Sequence, residues 1–182
     1  MRHLVPDAMR SLSQGKPVEI RNRQATRPWQ HVLELLAGYL HLGALTHRRR
    51  RQLALATADT VLAAQAGLAE LCSPFNFGPY LPSNRSVFEL VQEIFKHWPG
   101  TAVDKTIADA PKEAGKLSLT IDKAFHTLGW QPQWSFEETI RHTVAWYREF
   151  YGSARGHPAA VQALTQKQIR AHAEGLLYSV SE

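Results

Sequence analysis

The chain has 182 residues, 44% of them hydrophobic and 20% charged, enough for one globular core and within the ordinary size of a single domain. Lys and Arg number 21 against 16 Asp and Glu, a formal net charge of +5 that suits a nucleotide diphosphate, nucleic acid or an acidic partner surface without choosing between them. No apolar run approaches the roughly 20 residues of a membrane span, the N-terminus lacks the apolar stretch of a signal peptide, and the single cysteine, Cys72, excludes an internal disulfide framework.

These features point to a cytoplasmic protein with no membrane partner, in which Cys72 is expected as a small buried apolar residue. The first element is a short helix carrying Ala8, Met9 and Leu12, stopped by the turn signal Gly15-Lys16-Pro17. Val18-Glu19-Ile20-Arg21 alternates apolar and charged residues and predicts a short strand. From Pro28, near the favoured first position, the spacing of Trp29, Val32, Leu33, Leu36, Tyr39 and Leu40 predicts a helix with these residues along one face. Arg48 to Arg51 follow; without interleaved aromatics to stack bases, the run reads as solvated surface and argues against a nucleic-acid partner.

An Ala-rich stretch from Leu53 to Leu71 has helix-forming composition. Pro74-Phe75-Asn76-Phe77-Gly78-Pro79 predicts a short aromatic strand, and Ser86-x-x-Glu89 is a capping box opening a helix that Pro99-Gly100 ends. Leu117 to Thr120 alternates like a strand and leads through Asp122 into a helix stopped at Gly129. Ser135-x-x-Glu138 is a second capping box, for a helix with Ile140, Val144, Tyr147 and Phe150 inward, and Thr165-x-x-Gln168 is a third candidate. The pattern is α/β and helix-rich, without regular βα alternation or internal repeats. Strands this short must pair with one another or with a larger sheet.

Catalytic signatures are absent from the sequence: no glycine-rich dinucleotide loop, no phosphate-cradling Gly-Lys-Ser/Thr loop, no Gly-x-Ser-x-Gly elbow and no Tyr-x-x-x-Lys. The nine histidines are scattered without metal-ligand spacing, so no metal site is assigned. Trp29, Trp130, Trp146 and Tyr147 read as core aromatics. The informative segment is Arg27-Pro28-Trp29-Gln30-His31-Val32. An arginine just before a helix N-terminus joins a bidentate donor to the positive end of the helix dipole, which favours a phosphate. The alternatives are a carboxylate partner or plain solvent.

That segment, with Leu4-Val5-Pro6-Asp7, Gly38-Tyr39-Leu40, Asn76-Phe77-Gly78-Pro79, Leu128-Gly129-Trp130-Gln131-Pro132 and Thr143-Val144-Ala145-Trp146-Tyr147, resembles the C-terminal part of CDP-glucose 4,6-dehydratases, which are extended short-chain dehydrogenase/reductases. The resemblance runs from about Leu4 to Phe150. It implies a C-terminal substrate-binding subdomain over residues 1–152, with 45–71 an insertion, 153–182 a helical tail and the Rossmann core missing. The family converts CDP-glucose to CDP-4-keto-6-deoxyglucose with a bound NAD that takes and returns a hydride.

By that resemblance Leu4, Val5 and Pro6 would border the base, Ile20 and Arg21 would lie near base or ribose, Arg27 would grip the diphosphate, and Glu113 would belong to another substrate-side segment. The family's NAD loop and catalytic Tyr-x-x-x-Lys precede the segment that Leu4 begins. The resemblance therefore implies a CDP-glucose-like ligand, no catalytic residue in this chain, and a separately encoded Rossmann half as a candidate partner; a non-catalytic remnant or binding module is the alternative. Lys112 where the family has histidine, and Thr120 where it has aspartate, are departures from the pattern.

Overall fold

A computed structural model describes residues 3–105, 116–152 and 157–179. It divides into two compact units: Met1–His31, Tyr80–Ser118 and Gln133–Glu182 form the first, and Val32–Pro79 with Leu119–Pro132 form the second.

In the first unit, helix α1 (Leu4–Ser13) buries Ala8, Met9 and Leu12, the face expected from their spacing. Gly15, with φ of 66°, turns the chain into strand β1 (Val18–Ile20), whose Val18 and Ile20 are buried while Glu19 faces out. Strand β1 pairs in parallel with β4 (Ala102–Asp104), Val18 opposite Ala102. A second ladder joins β2 (Thr26–Pro28) and β3 (Asn84–Ser86) antiparallel. Among the described residues, the short strands form two ladders of two. Helices α4 (Val87–His97) and α5 (Phe136–Gly152) close the core, where Met9, Val18, Leu90, Ile94, Ile140 and Val144 meet.

Two of the three expected capping boxes form. Ser86 Oγ accepts from the Glu89 N–H and Glu89 Oε2 accepts from the Ser86 N–H, and Ser135 and Glu138 repeat the pattern at α5. Helix α6 (Pro158–Ser179) packs on α5. Thr165 sits well inside it and caps nothing: its hydroxyl donates to Val161 O and accepts from the Trp146 indole. Phe150, expected inward, is 43% exposed, whereas Ile140 and Val144 are buried.

The second unit departs further from expectation. Helix α2 spans Val32–Ala54, so Pro28 lies in strand β2, and the exposed arginines 48–51 form part of the helix. Val32, Leu36, Tyr39 and Leu40, on the apolar face read from the sequence, are all exposed. The inward face instead carries Gly38, with Leu35, Leu42 and Leu45 beside the core. The helix has apolar residues on both sides, so periodicity alone could not orient it. Helix α3 (Val61–Leu71) packs along α2, and Cys72, at its C-terminal end, is exposed and not buried as expected.

No strand forms at 74–79 or 117–120; Lys116, just before the latter, makes a parallel bridge to Thr26, both residues lying in the first unit. Phe77 instead turns its ring into the core, edge-on to Trp130 at 5.0 Å and to Tyr39 at 5.6 Å. A π-helical turn (Ala124–Leu128) ends at Gly129, φ 67°, the stop expected there. Among the described residues, no helix is long and apolar enough to cross a membrane.

Candidate functional site

The β2–β3 ladder sets Arg27 directly opposite Arg85, with Thr26 opposite Ser86 and Pro28 opposite Asn84. Residues directly opposed across an antiparallel ladder share a face and stand about 4.5–5.5 Å apart at Cβ. Two guanidinium groups are therefore rooted side by side. Trp29 fixes the register: its backbone N–H donates to Ser83 O at 3.3 Å and its indole Nε1–H donates to Arg85 O at 2.8 Å. On the other side of β2, Lys116 bridges to Thr26 and adds a third cation at the ladder.

Strand β3 runs straight into helix α4, whose first N–H groups are all taken. Ala25 O accepts from Val87, Arg23 O from Phe88, and Ser86 Oγ from Glu89. The N-terminus of α4 accordingly has no donor to offer a phosphate. Any anion held here is held by side chains. Arg27 Nη1 donates to Thr26 O at 2.8 Å, while Arg85 Nη1 lies 3.3 Å from Glu89 Oε1. Hydrogen bonds from the Ser86 hydroxyl and the Ser86 backbone, with the Arg85 charge, hold the Glu89 carboxyl below the usual carboxylate range.

Of the residues named from sequence, Arg27 lies on strand β2 and not at the entrance of α2, which begins at Val32. Arg27 therefore does not stand at the positive end of the α2 dipole; the residue opposite it is Arg85. Leu4, Val5 and Pro6 form the first turn of α1, where Leu4 and Val5 pack against the same core as Trp29. Ile20 is 4% exposed and belongs to that core, and Arg21, beside it, is exposed. Glu113 and Lys112 lie outside the described residues. Arg85 escaped the sequence reading because nothing in the chain's local pattern shows that a residue beside a capping box pairs with Arg27; register alone reveals it.

Among the described residues, the glycines with positive φ, Gly15 and Gly129, close helical turns, whereas a pyrophosphate turn opens a helix after a strand. No group of His, Cys, Asp and Glu among the described residues could hold a metal ion.

Compared with known proteins, the chain is a partial relative of nucleotide-sugar 4,6-dehydratases. Its similarity to the CDP-glucose 4,6-dehydratase of Salmonella typhimurium is 32% identity over 148 residues, 80% of this chain and 36% of that protein. The dTDP-glucose 4,6-dehydratases of Shigella flexneri and Escherichia coli are each 44% identical over 41 residues, 22% of this chain and 11% of each relative. The chain thus spans about a third of the length of the first of these relatives. No family model matches it. The resemblance read from the motifs is borne out at this level.

Proposed function

We propose that these residues form the nucleotide-sugar-binding part of a CDP-glucose 4,6-dehydratase-like protein, with Arg27 as the diphosphate ligand. The observation that supports this reading most is the coincidence of two independent ones: similarity to a CDP-glucose 4,6-dehydratase over 80% of the chain, and Arg27 held on a short ladder opposite a second arginine. A diphosphate carries at least two negative charges at neutral pH, and a guanidinium meets phosphate oxygens through two parallel N–H donors. The site does no bond-making chemistry of its own. It fixes the anionic end of the ligand, leaving the sugar to be presented to a cofactor and catalytic groups of the kind that these 182 residues do not display as motifs.

The first test is calorimetric titration of the purified chain with CDP-glucose, wild type against Arg27→Ala. A charge-assisted contact of about 1.5–3 kcal/mol predicts affinity lowered roughly 10- to 150-fold in the mutant. Equal affinity in both proteins, or no binding by either, would refute the assignment. Binding without turnover when NAD is added is the expected companion result.

A further inference from the structure

We infer that Arg85 is a second ligand of the same diphosphate, and that Glu89 is the internal anion it exchanges for the ligand; the inference rests on the reading of Arg27 as a diphosphate ligand. The register places the two arginines directly opposite each other, a pairing of like charges that destabilises a ladder unless something negative lies between or beside them. Arg85 reaches along the first turn of α4 to Glu89 at 3.3 Å, in an ion pair whose side chains are 42% and 44% exposed. Exposed i,i+4 pairs of this kind hold loosely.

Glu89 does not depend on Arg85, because its Oε2 already accepts from the backbone N–H and the hydroxyl of Ser86, at 2.8 and 2.7 Å. Arg85 can therefore swing from a carboxylate to a phosphate without leaving a buried charge unpaired. Its backbone cannot move with it: the Trp29 indole holds Arg85 O at 2.8 Å, so only the side chain has to reorient. Two guanidiniums rooted side by side suit two adjoining phosphates, which selects a nucleoside diphosphate over a monophosphate.

Titration of the full chain with CDP-glucose, CDP, CMP and inorganic pyrophosphate, using Arg85→Ala, Arg85→Lys and Glu89→Gln, tests this. Arg85→Ala should weaken CDP-glucose, CDP and pyrophosphate about 10- to 100-fold, and weaken CMP far less. Arg85→Lys, which keeps the charge and loses the paired donors, should fall between. Glu89→Gln keeps a capping-box side chain and should tighten all three diphosphates, a gain that misfolding cannot produce.

If Arg27→Ala abolishes binding while both Arg85 variants bind like wild type, Arg85 is not a ligand and the Arg27 reading stands. Unchanged or weaker binding by Glu89→Gln overturns the exchange between Glu89 and ligand. Failure of the wild type to bind any of the diphosphates overturns both readings together.

Discussion

Gly38 faces the Phe77 ring so closely that a Cβ there would meet its Cγ at 2.7 Å. Glycine is required at this point of α2 by contact and not by backbone conformation, since the residue lies within a regular helix. Alanine would improve helix propensity by about 1 kcal/mol, but it would push the ring toward Trp130, which stands edge-on at 5.0 Å. Overpacking of this kind costs about 1–3 kcal/mol. Gly38→Ala is expected to lower the urea midpoint, with the near-ultraviolet signal of the aromatic cluster altered in the folded state. A midpoint equal to or above wild type would show that the ring yields freely.

Ser86 serves its helix more than any ligand. Its hydroxyl accepts from the N–H of Glu89, and replacing a capping serine by alanine costs about 1 kcal/mol. Ser86→Ala should lower thermal stability measurably while reducing CDP-glucose affinity far less than Arg27→Ala. A large loss of affinity with unchanged stability would reverse that assignment.

Among the elements, α5 and α6 meet across a cluster of rings. Trp134 stacks on His142 at 4.0 Å, and His31 and His172 approach its edges at 4.9 and 5.0 Å. The Gln168 amide of α6 donates to the backbone carbonyl of His142. Burial pushes the His142 imidazole below its ordinary value of 6.5, the Arg141 and His172 charges push the same way, and Glu138 opposes them. The folded state thus favours neutral His142. Its contribution is present in full above about pH 6.5 and is lost as pH falls through the lowered folded value. Denaturant midpoints at pH 7.5 and 5.5 should differ, and His142→Gln should shrink that difference; an undiminished difference places the acid sensitivity elsewhere.

These elements also mark what the chain discloses locally. The two capping boxes and the stops at Gly15 and Gly129 were legible, because each is a contact between residues a few positions apart. The face of α2 was not, because apolar residues on both sides leave the choice to Phe77, which lies far along the chain. The strand expected around Phe77 failed for a related reason: its aromatics pack individually into the core and have no neighbouring strand to join. At the proposed site, Arg27 was singled out as the residue before a helix N-terminus, whereas it lies on strand β2. Its partner on the ladder could not be singled out, since pairing of distant strands leaves no local trace.

At the scale of the whole molecule, the exposed stripe of Val32, Leu36, Tyr39 and Leu40 on α2 is unusual for a surface helix. The chain is expected to bind a hydrophobic dye in its native state, and Leu36→Glu with Leu40→Glu should reduce that signal without unfolding the protein. Dye binding unchanged in the double mutant would locate the apolar surface elsewhere.

The parallel pairing of β1 with β4 has a consequence in time. Val18 and Ala102 are 84 positions apart, so this ladder cannot begin until residue 102 has been made. At about 5–20 residues per second, β1 leaves the ribosome roughly 4 to 17 seconds before its partner strand exists. For that interval its unpaired edge is a template open to pairing.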